Sequence, residues 1–102
     1  MNMLKEALRE EQGRNTAMQD VYRRELQQLP RGSLVIKTSG NKEYCYLHFR
    51  DGNKVVSQYV GPAEQHADRL RAQIAERKEF ERLLRRLRGE EKYLAKALRL
   101  ND

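Results

Sequence analysis

LPRGSLVIKTSGNKEYCYLHFRDGNKVVSQYVG, residues 29–61, is the stretch that decides the fold. Runs rich in β-branched and aromatic residues alternate with clusters of Gly, Asn, Asp and Ser, the pattern of strands separated by turns. Ser33–Thr38 predicts a first strand, Ser39-Gly40-Asn41-Lys42 a turn, and Glu43–Arg50 a second strand. Asp51-Gly52-Asn53 predicts a second turn and Lys54–Val60 a third strand. Asp-Gly is a strong hairpin dipeptide because both residues tolerate positive φ. Two short turns joining three successive strands make an antiparallel meander.

Side chains alternate across a strand, so the second strand divides by parity. Tyr44, Tyr46, His48 and Arg50 share one face; Cys45, Leu47 and Phe49 share the other. A two-residue Asp-Gly loop sets Val55, Ser57 and Tyr59 beside the tyrosines and Val56 and Val60 with Leu47 and Phe49; a three-residue loop exchanges the two sets. Neither face is plainly polar. Two helical arms are available to cover them, so the simpler expectation is one helix on each side. Otherwise one face offers an aromatic, basic-edged surface to a partner.

Outward from the sheet, both flanks read as helix. Before it, Leu4, Leu8, Met18, Tyr22 and Leu29 fit one helical stripe over residues 2–28. Glu10 with Arg14, and Asp20 with Arg24, have the i,i+4 spacing of acidic-to-basic pairs. Gly13 weakens the middle, and Thr16 with Gln19 has capping-box spacing, so the helix is expected to be firm from about Ala17. Pro30 ends it. After the sheet, Gly61-Pro62 opens a second helix. Ala63, Ala67, Leu70 and Ile74 hold one register; Phe80, Leu84, Leu87, Leu94 and Leu98 hold another that does not align with it. Gly89 is expected to break this arm into a long helix to about Arg88 and a short continuation to Leu100.

The fold class is therefore α+β: an N-terminal helix, a three-stranded antiparallel β-meander, and a long C-terminal helix with a short continuation. The 102 residues suit a single domain, with a helical arm over 1–29, the sheet over 33–61 and a second helical arm over 62–102. Charged residues make up 35% of the chain, well above the ~25% of an average domain. Such a chain is poor in core, which favours a homo-oligomer or a heteromeric partner joined through the Phe80–Leu98 stripe. Net charge is +6, and the excess falls on the sheet and the second arm, because the first thirty residues carry five basic and five acidic side chains. A basic surface favours polyanions through counterion release.

The one cysteine, Cys45, forms no intrachain disulfide and fits a reducing compartment. The opening MNMLKEALREEQ lacks the apolar core and small-residue cleavage site of a signal peptide, and no run approaches a membrane span. A soluble, cytoplasmic protein is expected, with no membrane partner. Two histidines eighteen residues apart and one cysteine do not make a zinc site. Cys45 reads as a small buried hydrophobe, and His48 points to the opposite face. No phosphate-binding glycine loop is present. No catalytic constellation, metal site or cofactor is expected; the chain reads as a non-enzymatic binder. The segment RLLRRLR, Arg82 to Arg88, is the sharpest charge feature. Arg82, Arg85 and Arg86 share one side of a helix, either as the solvated face of a packed amphipathic element or as a contact for phosphate or an acidic partner.

The pattern Leu29-Pro30-x-Gly32-Ser33-Leu34, then Lys37, Glu43-Tyr44-x-Tyr46-Leu47-x-Phe49-Arg50-x-Gly52-x-Lys54-Val55, Ser57 and Tyr59-Val60-Gly61 resembles small bacterial proteins that carry a domain of unknown function. That resemblance implies a fold and no established activity. More loosely, the meander with an aromatic second strand, Gly-x-Lys at its second turn and Tyr-x-Gly before a helix is similar to the arm-type DNA-binding domain of tyrosine-recombinase integrases. The similarity implies a sheet laid in the major groove, with Lys42, Arg50, Lys54 and Gln58 groove-facing. A long helix precedes the sheet and no recombinase catalytic domain accompanies it, which departs from that family.

Two functions from different classes follow. One is a small accessory protein that binds DNA or RNA, of mobile-element or phage origin, using Lys42, Arg50, Lys54 and Gln58 on the sheet and Arg82, Arg85 and Arg86 on the second arm. The other is a protein-interaction module, an antitoxin-like or scaffolding subunit, acting through its amphipathic helices. Phosphate-driven binding falls steeply with salt, whereas apolar helix docking does not.

Overall fold

A computed structural model describes residues 2–101. Its elements in chain order are α1 (Met3–Gln28), β1 (Ser33–Ser39), β2 (Lys42–Asp51), β3 (Lys54–Pro62) and α2 (Ala63–Leu100). The three strands form one antiparallel sheet in the order β1-β2-β3, the α+β meander expected from the sequence.

Both hairpins close through two-residue loops. Ser39 pairs with Lys42 across Gly40-Asn41, and Asp51 pairs with Lys54 across Gly52-Asn53. Asp51 is thus the last paired residue of β2 rather than part of the loop. Gly40 and Gly52 have φ of 63° and 62°, while no residue other than glycine has positive φ among those described. A left-handed glycine followed by an asparagine of negative φ is the II′ pattern, whose twist matches the strands it joins. Tyr46 pairs with Tyr59, but Cys45 pairs with Gly61, so Val60 is an extra residue in β3. This bulge lets both Val60 and Gly61 turn toward α2 where the strand runs into the helix.

The chain divides into two compact units, residues 28–78 and residues 2–27 with 79–101. The division falls inside α2 and not at the end of the sheet. In the sheet unit, Cys45 and Leu47 pack with Ala67 and Leu70 of α2, and Leu34, Ile36, Phe49, Val60, Ala63 and Ile74 close around them. Arg77 Nη1 donates to the carbonyl of Leu29 at 3.0 Å and so satisfies a backbone acceptor in the segment between α1 and β1.

In the helical unit, α1 lies against the C-terminal half of α2. Tyr22 meets Phe80 with ring centroids 5.5 Å apart, and Asn15 reaches Leu87, so the two helices run antiparallel. The seam on α1 is Lys5, Leu8, Gln12, Asn15, Gln19, Tyr22 and Leu26, each partly or fully buried. These steps of three and four are the heptad spacing of a two-helix seam. Its centre is polar. Asn15 Nδ2 donates to the Leu87 carbonyl at 2.8 Å; Gln19 Nε2 donates to Asn15 Oδ1 at 2.7 Å and to Glu91 Oε2 at 2.8 Å. Arg23 Nη2 donates to Gln19 Oε1 at 2.8 Å. No buried side-chain polar atom is left without a partner among the described residues. Such a network costs little only when complete, and it fixes which residues face each other along the seam.

The two mismatched registers of the second arm are thereby explained. Ala67, Leu70 and Ile74 serve the sheet, whereas Phe80 and Leu84 serve α1. At the head of the stripe expected to join separate chains, Phe80 meets Tyr22 of the same chain. Several local expectations are corrected. α1 is continuous through Gly13, and Thr16 caps nothing: its hydroxyl donates to the Gln12 carbonyl one turn back, at 3.1 Å. α2 is continuous through Gly89, so there is no separate short helix. A glycine costs only about 1 kcal/mol in a helix, which seam packing on either side outweighs. The ion pairs on α1 are i,i+3, with Arg14 on Glu11 and Arg23 on Asp20, instead of Glu10–Arg14 and Asp20–Arg24.

Candidate nucleic-acid interface

The simpler expectation for the sheet, a helix on each face, does not hold. α2 takes the face that carries Cys45 and Leu47. The opposite face lies open, with Tyr59 53% and Val55 69% exposed.

Register assigns the residues of the open face. On β2 they are Lys42, Tyr44, Tyr46, His48 and Arg50. Opposite them stand Ser33, Val35, Lys37 and Ser39 on β1, and Val55, Ser57 and Tyr59 on β3. The three tyrosines form a cluster at the centre. Tyr59 lies 5.4 Å from Tyr46 and 6.2 Å from Tyr44 between ring centroids, tilted by 58° and 50°. Lys37 Nζ sits 4.4 Å from the Tyr46 ring centre, where the ring's negative face attracts the ammonium. Ser57 Oγ and His48 Nε2 share a hydrogen bond of 2.9 Å.

The charge on this face is one-sided. Lys37, Lys42 and Arg50 are exposed upon it. The sheet's two carboxylates, Glu43 and Asp51, alternate to the other face, paired with Thr38 and Lys54. Three cations and no acid therefore surround three tyrosines.

The residues expected to share a groove are divided. Lys42 and Arg50 lie on the tyrosine face, at the two ends of β2. Lys54 and Gln58 pair with Asp51 and Leu47 and so belong to the opposite face, along the exposed β3 edge. Arg82, Arg85 and Arg86 belong to the helical unit. Arg82 is bound by Glu79, with Nε donating to Oε2 at 3.0 Å, and Arg86 Nε lies 3.4 Å from Glu90. The Arg82 guanidinium holds the Glu79 carboxyl below its ordinary value by hydrogen-bonding its charged form, and Glu79 in turn raises Arg82. Lys37 and the tyrosines were not among the expected site residues. Their signal was present: a two-residue Gly-Asn loop fixes Lys37 opposite Tyr44, and the next loop fixes Tyr59 opposite Tyr46.

Cys45 is fully buried among the core residues. Among the described residues no three of His, Cys, Asp and Glu are placed to hold a metal ion, and no helix is long and apolar enough to cross a membrane.

The molecule is an α+β chain in which a three-stranded meander is backed by one helix and leaves its other face open. Residues 1–72 match a domain of unknown function, DUF6788, and the chain belongs to that family. The matched span takes in α1, the whole sheet and the first ten residues of α2, and stops short of Ile74. No curated protein and no solved structure matches the chain.

Proposed function

We propose that this protein is a non-enzymatic nucleic-acid-binding accessory protein, and that the open face of its sheet is the binding surface. The observation that carries the reading is the segregation of charge on the sheet: Lys37, Lys42 and Arg50 surround the tyrosines while Glu43 and Asp51 are turned away. The charged side chains that the sheet itself places on that face attract a polyanion, and every phosphate neutralised releases condensed counterions. Aromatic rings among cations add contacts to bases or sugars that a bare phosphate site lacks. A mobile-element or phage setting belongs to the same proposal.

The test is a salt titration. Lys37, Lys42 and Arg50 changed together to alanine should weaken binding across all sequences. Each lost phosphate contact should lower the log–log salt slope by about 0.9 on duplex DNA or about 0.7 on a single strand. Lys54→Ala, on the opposite face, should leave the slope unchanged. Equal losses for the two variants would refute this assignment of the surface.

The alternative is a protein-interaction module acting through the helical unit. It is favoured by the apolar side chains exposed there: Met3, Leu4, Met18, Val21, Tyr93 and Leu100. Capture of a protein partner that survives high salt and nuclease treatment would support it.

A further inference from the structure

We infer that the open face of the sheet takes single-stranded nucleic acid, holding unpaired bases on its tyrosine rings, in preference to a duplex. This rests on the nucleic-acid reading and narrows it.

A duplex presents phosphates and base edges; its base faces are hidden in the stack. Edges in the major groove are read by Arg, Lys, Asn, Gln and carboxylate side chains. The centre of this face offers almost none of these. Its central cross-strand row is Val35, Tyr46 and Tyr59, with Tyr44 adjoining. Gln58, the side chain best suited to an adenine edge, lies on the other face. Against a duplex the phenol rings would be idle.

Against a single strand they are not. The rings of the cluster are tilted rather than stacked face to face. Lys37 occupies one side of Tyr46. Tyr59, the most exposed of the three on the sheet, is left as the principal platform, with Tyr44 beside it. The cations stand where a strand's phosphates would need them. Lys42 and Arg50 lie at opposite ends of β2, about 27 Å apart along a strand that rises ~3.4 Å per residue. A chain laid along β2 meets a cation at each end and tyrosines between. Flat sheets with exposed aromatic residues serve single-stranded binding in this way, because every base has a π-face.

The test uses the whole chain and three labelled probes: an oligothymidylate about 12 nucleotides long, the matching oligouridylate, and a duplex of the same length. Fluorescence anisotropy at ~50 mM salt gives the affinities. Both single strands should bind more tightly than the duplex. Tyr59→Ala should weaken single-strand binding roughly 5- to 150-fold, the range of one lost base stack, while Tyr59→Phe retains it. The chain has no tryptophan, so tyrosine emission is directly readable. In the unmodified protein it should be quenched by single strands and not by duplex, a readout independent of any variant's folding. Duplex binding as tight as single-strand binding, or unquenched tyrosine emission at saturation, would overturn the inference and leave the broader nucleic-acid reading standing. Absence of binding to all three probes would overturn both.

Discussion

On one side of the sheet Cys45 and Leu47 are sealed against Ala67 and Leu70 of α2; on the other, Tyr59 and Val55 stand in solvent. The same three strands make both faces, and the alternation of side chains separates their tasks. The sealed face lowers the free energy of folding by removing apolar surface from water. The open face leaves the Tyr59 ring and the cations Lys37, Lys42 and Arg50 exposed to solvent. If that division is right, substitutions should dissociate: one face should move the melting temperature, the other the binding constant.

The largest effect belongs to the sealed face. Leu47→Ala removes a buried side chain at the centre of the core and should cost about 2–5 kcal/mol, the range for leucine truncations that leave a cavity. Denaturant unfolding measures it. At concentrations where the variant remains folded, its single-strand affinity should match that of the unmodified protein. A loss below about 1 kcal/mol would mean that the sheet and α2 do not share a continuous core.

This division was only half legible in the sequence. Parity and the turn signals placed the three strands and divided β2 into its two faces, but they left open the length of the second loop and so which side of β3 joins the tyrosines. They could not say which face α2 would take, because tyrosine, valine and histidine suit a half-buried surface as well as an exposed one. Nor could parity foresee Val60 as a bulge, which depends on where β3 must hand over to α2. In the helical unit the apolar stripe was right only in part. Leu8 and Tyr22 do lie in the seam on α1, but Leu4 and Met18 are exposed, and the centre of the seam is Asn15 and Gln19, the latter only 2% exposed. The signal was the alternation of three- and four-residue steps through positions 5, 8, 12, 15, 19, 22 and 26, which holds whatever the polarity of its members. A hydrogen-bonded pair of amides can fill a seam that composition assigns to apolar residues.

An intermediate effect lies between the two faces, at the loop that sets the register for both. Gly52 has φ of 62° and open space where a side chain would stand, so Gly52→Val meets conformational strain without a clash. It should cost about 1–2 kcal/mol. Because the loop fixes Tyr59 opposite Tyr46, the same variant should also weaken single-strand binding, unlike Leu47→Ala. A variant that melted normally and bound normally would show that the register does not depend on this turn.

The open face should show the reverse. Lys42 and Arg50 are exposed, and changing both to alanine should alter stability by no more than about 0.5 kcal/mol in total. The salt slope of binding should fall in the same protein. A stability loss comparable to that of Gly52→Val would mean that these cations support the fold and that the two faces are not separate in task.

The smallest effect concerns the arginines of the helical unit, which by the same logic are either a solvated face or a second contact for phosphate. Arg82 is held by Glu79 one turn before it. Glu79 has its carboxyl pKa lowered in the folded chain, chiefly by the hydrogen bond from Arg82. A lowered folded value means the pair stabilises the fold above the ordinary carboxylate pKa and that the contribution is lost as pH falls through the folded value. Both partners are exposed to solvent, so salt should screen the interaction. Thermal melts of Glu79→Gln should therefore differ from the unmodified protein only slightly at neutral pH and low salt, and not at all in acid or at high salt. The same variant frees Arg82 from its carboxylate. If Arg82 contacts phosphate, Glu79→Gln should tighten nucleic-acid binding and steepen its salt slope; if the segment is a solvated face, binding should not change. Since Arg82 and Arg86 are each satisfied on their own helix, the expected result is no change, with the phosphate contacts confined to the sheet.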